Sequence, residues 1–389
     1  MTLLRILLVQ GFRILFTLAG IWSVGAMLFW LAFLAGWMPL DHSWSVVGLH
    51  GHEMLFGFTA AAAAGFLLSA TPVWSKTPPL TGPPLNLLVG AWLLGRVAAL
   101  LGCCLPAWIQ AVADVAFFAG FLYFLTPTLW FTGNRVHRIF PVLVGLMAVG
   151  DLLTHLESLE WTRDSARAGV MLGVNAIVFF LAMTGGHIMP MFTRDALKAR
   201  GEDPSFAISP PLEIAGAVTL TLVVLADLFW PTASQAGWIF LAAGGVQGVR
   251  LARWHGHKTL GTPLLWVLHL GYLWLVAGLL LRGAARLTAL LTDATALHAL
   301  TVGAMGLFTL GIMARIALAH TGRPLISPRA LTLAFLIMTA AALTRVFWAS
   351  WAPEVGIPLS GGLWIVAYLL FCRIILPILS APRPDGQVG

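Results

Sequence analysis

Apolar residues in this chain neither alternate with polar ones nor recur at the spacing of a single helix face. They run solid for about twenty residues at a time between short clusters of Pro, Gly, Arg and Asp. A helix of about 20 residues is what it takes to cross a hydrocarbon layer of roughly 30 Å. Twelve runs fit, at about 13–37, 50–74, 85–104, 107–131, 139–158, 166–189, 211–231, 236–254, 263–282, 294–317, 330–350 and 358–379. The absence of alternation favours helices over barrel strands, which present apolar side chains only at every second position. The expected fold class is an all-α integral membrane protein, one polytopic domain over residues 1–389 made of a single bundle of about twelve transmembrane helices. Loops such as "CLPAW" and "PTASQ" are too short for anything but antiparallel neighbours. The longest, "FTRDALKARGEDPSFAISPP", leaves no room for a soluble domain. The first run is too long and too apolar for a cleavable leader and is expected to remain as a helix. No convincing sequence repeat relates the two halves.

Composition agrees: 59% of 389 residues are hydrophobic, 10% are charged and 17 are Trp. Lys and Arg give the orientation. With the N-terminus inside, Arg5, Arg13, Lys76, Arg135, Arg138, Arg194, Lys198, Arg200, Arg250, Arg253, Lys258, Arg315, Arg323, Arg329, Arg373 and Arg383 face the cytoplasm. Only Arg163, Arg167, Arg282 and Arg286 lie outside, so both termini are expected in the cytoplasm. The net charge of +7 then follows from topology and from contact with the anionic lipid bilayer, and nucleic acid is not a partner. Cys103, Cys104 and Cys372 form no metal motif and read as small packing residues.

Histidine within a span is expensive and by default marks a functional site. His50, His52, His155 and His298 share one depth, the outer part of helices two, five and ten. His269 and His320 lie toward the cytoplasmic ends of helices nine and ten, and His187 at the inner end of helix six, whereas His42, His137, His255 and His257 fall in loops. In "HGHEM", helical residues two apart point roughly 200° apart, so His50 and His52 cannot readily chelate one ion but can serve two adjacent centres. Glu53 shares a face with His50, and Asp151 stands four residues before His155. Either carboxylate can orient an imidazole or form an ordinary buried hydrogen bond. Asp114, Asp151, Asp227, Arg96 and Arg345 map to the same depth. Arg96 and Arg345 can anchor heme propionates or can lock the bundle by pairing with these aspartates, and the sequence leaves both open.

Six segments, "HGHEMLFGFTAAAAAGFLLSATPVWS", "LLGR", "DLLTHLESL", "MPMFTRDAL", "PLLWVLHLGYLWLVAGL" and "ALHALTVGAMGLFTLGIMARIALAHTGRP", together resemble the NnrS family over about residues 10–380. The family comprises bacterial inner-membrane proteins that bind heme and copper and are associated with nitric oxide stress and denitrification. The resemblance implies heme b and copper as cofactors, iron as the alternative second metal, nitric oxide as ligand or substrate, and residence in the inner membrane. Carried over position by position, the family's histidines fall on His50, His52, His155, His269, His298 and His320. His187 departs from the pattern, since "GGHIMPMF" usually carries an arginine there.

Neutral imidazole suits both iron and copper. The outer histidines can give one ligand to a heme and the rest to copper, while His269 and His320 can hold a second heme or a lone metal. Three functions fit these residues. The first is a nitric oxide reductase-like oxidoreductase that moves protons through Glu53 and Asp114, with an electron donor the sequence does not name. The second is a heme, copper or nitric oxide sensor or handling protein without turnover, and the third is a polytopic transporter. The topology has its own test: a reporter active only in the cytoplasm should work when fused to either terminus and fail in the 159–164 loop. Activity at that loop and silence at both ends would invert the orientation.

Overall fold

A computed structural model describes all residues except 1–2, 38–43, 103, 132–133, 203–205, 207, 289–290 and 388–389. His42 and Cys103 therefore lie outside the described residues. The chain is 82% helix, and the described residues contain no strand. Among the described residues, eleven helices are long and apolar enough to cross a membrane. They are α1 (Gly11–Leu34), α2 (Val47–Ser75), α3 (Pro83–Leu100), α4 (Ala107–Phe131), α5 (Ile139–Ser158, entered by a 3₁₀ turn at Arg135–Arg138) and α6 (Ser165–Lys198). After them come α7 (Pro210–Phe229), α9 (Pro263–Leu287), α10 (Asp293–His320), α11 (Arg329–Val346) and α12 (Pro353–Leu379). The run expected at 236–254 is helix α8 (Gly237–Arg253), but it has only 17 residues and carries Arg250 and Arg253 in its last turn. It is about 25 Å long at 1.5 Å per residue, short of a full crossing. Helix α6 runs well past the expected end at 189, because Pro190 is taken into the helix and no breaker follows until Gly201.

Two of the spans are not uniformly α-helical. In α2 the segment Glu53–Thr59 is π-helical and begins directly after His52. In α10 the segment Ala299–Gly306 is π-helical and begins directly after His298. A π-turn sacrifices hydrogen-bond geometry and is found mostly where a helix carries a functional side chain.

The helices fall into two compact units. The first comprises residues 1–176, 316–324 and 371–389, and the second residues 177–315 and 325–370. Within the first, α1 packs on α2, and α4 lies against α2, α3 and α5. Buried Arg13 at the start of α1 donates to the carbonyls of Leu379 and Ala381 at 2.5 and 2.9 Å, satisfying orphan acceptors at the end of α12. In the tail, Arg383 donates to the His320 carbonyl at 2.9 Å and pairs with Asp385, whose carboxyl it holds down at about 2. The Cys372 thiol packs beside Gly20 in α1. Within the second unit, Arg250 joins Glu213, Gln247 and Tyr272, while Arg282 and Arg286 hold Asp227 above Phe240.

One close crossing sets the position of α5 against α6. A Cβ on Gly150 would lie 2.7 Å from the Gly169 carbonyl oxygen, and one on Gly169 would overlap the Gly150 carbonyl oxygen. Small residues let membrane helices approach backbone to backbone, and here they do so one residue before Asp151. Gly145, on the same helix, has open space around it. Gly169→Ala should therefore lower thermal stability in detergent by about 1–3 kcal/mol through overpacking. Gly145→Ala should leave it unchanged or slightly raised, since Ala is the better helix former. Equal melting curves for the two variants would show that the crossing does not constrain the helices.

Candidate metal centre

The centre is built from one end of α2, α3, α4 and α5. Ser45 caps α2 by accepting from the Gly48 amide, and Trp44 just before it lies over both His52 and His155, with ring centroids 4.6 and 5.4 Å away. On α5, Asp151 and His155 are one turn apart and share a face. Asp114 projects from α4 and Arg96 from α3. Trp44, Arg96 and Asp114 are buried, and His52, Asp151 and His155 are at 0% exposure.

One ligand atom from each of His52, Asp114, Asp151 and His155 lies within 4.8 Å of the others. The Nε2 of His52 is 2.9 Å from Asp151 Oδ1 and 3.6 Å from Asp114 Oδ2. The Nε2 of His155 is 3.3 Å from Asp114 Oδ2 and 3.6 Å from Asp151 Oδ1. A tetrahedral ion with bonds of about 2.1 Å separates its ligand atoms by about 3.4 Å, so these spacings suit a single ion. No hydrogen bond reaches Asp151 Oδ2 or His155 Nδ1, although both are buried.

The surrounding side chains orient this set. The Nδ1 of His52 is 3.0 Å from Glu53 Oε1, so Nδ1–H donates to the carboxylate and Nε2 is turned toward Asp114 and Asp151. That is the arrangement in which a carboxylate fixes the tautomer of a metal-ligating imidazole. Glu53 also accepts from Gln110 Nε2 at 3.1 Å and from Trp22 Nε1 at 3.0 Å. Arg96 ties the group together, with Nε 3.1 Å from Glu53 Oε2 and Nη2 donating to Asp114 Oδ1 at 2.7 Å. With neutral imidazoles, three carboxylates and one guanidinium leave a formal charge of −2. A divalent cation cancels it.

A family model described as NnrS protein matches residues 6–383 of the 389-residue chain. The chain belongs to the NnrS family. Among curated proteins no match is found. The NnrS match takes in the whole centre, from Trp22 to His155.

Against the expectations from sequence, His52, His155 and Asp114 come together, and Asp151 joins them. Glu53 departs from its expected partner: its hydrogen bond is to His52, not to His50. The α-helical spacing does hold as far as Glu53, which lines the same cleft as His50, but its carboxylate is turned to His52 by Gln110, Trp22 and Arg96. His50 instead stacks on Trp30 at 4.4 Å, in a narrow cleft lined by Trp22, Phe29, Phe33 and Glu53. Arg96 is paired with two carboxylates of the chain. His298, His269 and Arg345 belong to the second unit, where His298 Nδ1 donates to the Ala294 carbonyl at 2.6 Å and His269 Nε2 is 3.0 Å from Thr193 Oγ1. His320, in the first unit, meets the edge of Phe12. His187 is exposed and His137 stacks on Trp74. Sequence reasoning missed Trp22, Trp44 and Gln110. Of these, Gln110 was recoverable, because it stands four residues before Asp114 as Asp151 does before His155.

Arg96 is the cation whose loss leaves two buried carboxylates uncompensated. Arg96→Met should cost about 3–5 kcal/mol of stability, the effect of removing one partner from a buried ion pair. Unfolding in detergent measures it, with the half-buried Arg345→Met expected to fall well below that range. Comparable losses for both would deny Arg96 its central place.

Proposed function

We propose that the chain is a heme- and metal-binding protein of the bacterial inner membrane, with both termini in the cytoplasm, that acts on nitric oxide. The observation that carries the reading is the buried pair of imidazoles and pair of carboxylates, with His52 oriented by Glu53. Two imidazoles suit copper or iron, and two carboxylates favour the divalent state of either, so copper is the assigned ion and iron the alternative. His52, Asp114, Asp151 and His155 would hold it.

A porphyrin does not fit among donors less than 5 Å apart and packed under Trp44 and Phe56. The side of His50 is the better candidate, because it offers an imidazole among the aromatic walls Trp22, Phe29, Trp30 and Phe33 with few other polar groups, although those side chains would have to move apart to admit the ring. His50 would hold it. A bound heme supplies a site for nitric oxide and one-electron chemistry.

Reduction of two nitric oxide molecules to nitrous oxide and water takes two electrons, from an external donor, and two protons. Glu53 lines the cleft and hydrogen-bonds His52 without being one of the four donors, so it is the group positioned to carry a proton between cleft and centre. A second reading, a copper or nitric oxide handling protein without turnover, is favoured by one feature. Four donors from the chain fill a tetrahedral shell and leave no open position.

Purified protein separates these readings through metal analysis, the visible spectrum and nitric oxide consumption with an artificial reductant. His52→Ala or Asp151→Asn should lose about one equivalent of metal and keep heme absorbance, while His50→Ala should do the reverse. Wild-type metal and heme contents in all three would overturn the assignment. Bound cofactors without consumption would leave the handling reading standing alone.

A further inference from the structure

The two imidazoles of the centre are held differently. His52 meets a carboxylate with each ring nitrogen: Nδ1 is 3.0 Å from Glu53 Oε1, and Nε2 is 2.9 Å from Asp151 Oδ1. Glu53 is itself fixed by Gln110, Trp22 and Arg96, and the His52 ring lies among Trp44, Phe56 and His155. His155 meets carboxylates with Nε2 alone and at longer range, 3.3 Å to Asp114 Oδ2 and 3.6 Å to Asp151 Oδ1. Its Nδ1 is buried and reaches no hydrogen-bond partner among the described residues.

That difference sets what each ring loses when it takes a metal. A neutral imidazole that binds an ion through Nε2 must carry its proton on Nδ1. For His52 the Nδ1–H is met by Glu53, so the tautomer that binds metal is the one the chain supports. For His155 the supported tautomer is the opposite one. Its Nε2 faces two carboxylate oxygens, which a lone pair would repel, so the proton sits on Nε2 and is donated to Asp114. Binding an ion through Nε2 would move that proton to Nδ1 and leave a buried N–H with no acceptor, a penalty worth about 10–100-fold in affinity.

Asp151 supplies the complement. Its Oδ1 faces both rings, while its Oδ2 is buried and takes no hydrogen bond among the described residues. A carboxylate with one oxygen unengaged can close on an ion with both. His52, Asp114 and the two oxygens of Asp151 then make four donors without His155.

We propose that His52 is the fixed ligand of the centre and His155 the exchangeable one, so that a small external donor enters at the position from which His155 withdraws to its hydrogen bond with Asp114. This rests on the metal reading above and alters it in one respect: four side chains around the ion do not close it to outside ligands. The entering donor is only a few atoms in size, because the site lies under Trp44 and Phe56 and its two imidazoles are fully buried.

The test uses full-length protein in detergent, cleared of metal with a chelator, reloaded with Cu(II) and probed with azide. Melting curves of the metal-free variants show that each is folded, and His155→Gln carries the same comparison where His155→Ala does not fold. His52→Ala should weaken Cu(II) binding by at least about 100-fold, and His155→Ala by about 10-fold or less. Azide should alter the EPR spectrum of the wild-type copper, and the azide-treated spectra of wild type and His155→Ala should coincide, because azide then stands in the place of His155 in both. Equal losses of affinity in the two variants, or the larger loss in His155→Ala, overturn the proposal and leave the centre standing. So does azide that leaves the wild-type spectrum unchanged or gives the two proteins different spectra. Wild type that binds no Cu(II) removes the copper reading, and this inference with it.

Discussion

Charge cannot be left uncompensated in a medium that does not solvate it, and the first unit is organised around that constraint. Glu53, Asp114 and Asp151 are three carboxylates with almost no exposure, and only Arg96 offsets them permanently. The remaining two negative charges make the site a trap for protons or for a divalent ion. Neutral helices could have packed without these groups. Their presence costs stability that a purely apolar bundle would retain, so the centre is better explained by what it binds than by what it holds together.

The same constraint separates the two arginines that the sequence could not tell apart. Arg96 and Arg345 look alike as single cations inside apolar runs, and both were compatible with a propionate or a structural pair. Packing distinguishes them. Arg96 reaches carboxylates on α2 and α4 at 3.1 and 2.7 Å, whereas Arg345 faces no acidic side chain among the described residues. Membrane proteins answer the cost of a buried guanidinium in one of these two ways, with an internal partner or a borrowed one.

Most of the fold was legible because a hydrocarbon layer admits few solutions, and a solid apolar run of twenty residues has one reading. The exception was α8, where a run of adequate apolar length ends in Arg250 and Arg253 and forms only 17 helical residues. The centre was legible in part. His52, His155 and Asp114 could be singled out because ionisable side chains are rare in spans, and the Asp151–His155 spacing lies within one helix. The pairing of Glu53 was not legible, since the direction of its carboxylate is set by Gln110, Trp22 and Arg96 on other helices. Nor were Trp22 and Trp44, because tryptophans abound in this chain and nothing local marks the two that touch the site.

The π-turns bear on how the site came to be. A π-turn is an α-helix that has absorbed one additional residue without breaking, and each here begins at the residue after a histidine. Spans tolerate length changes poorly, since one added residue turns everything beyond it by about 100°. Relatives that never gained the residue would therefore show a one-position gap inside an otherwise ungapped span, near Gly57 or Gly303. The history of these two histidines would be recorded as insertion events, not as substitutions.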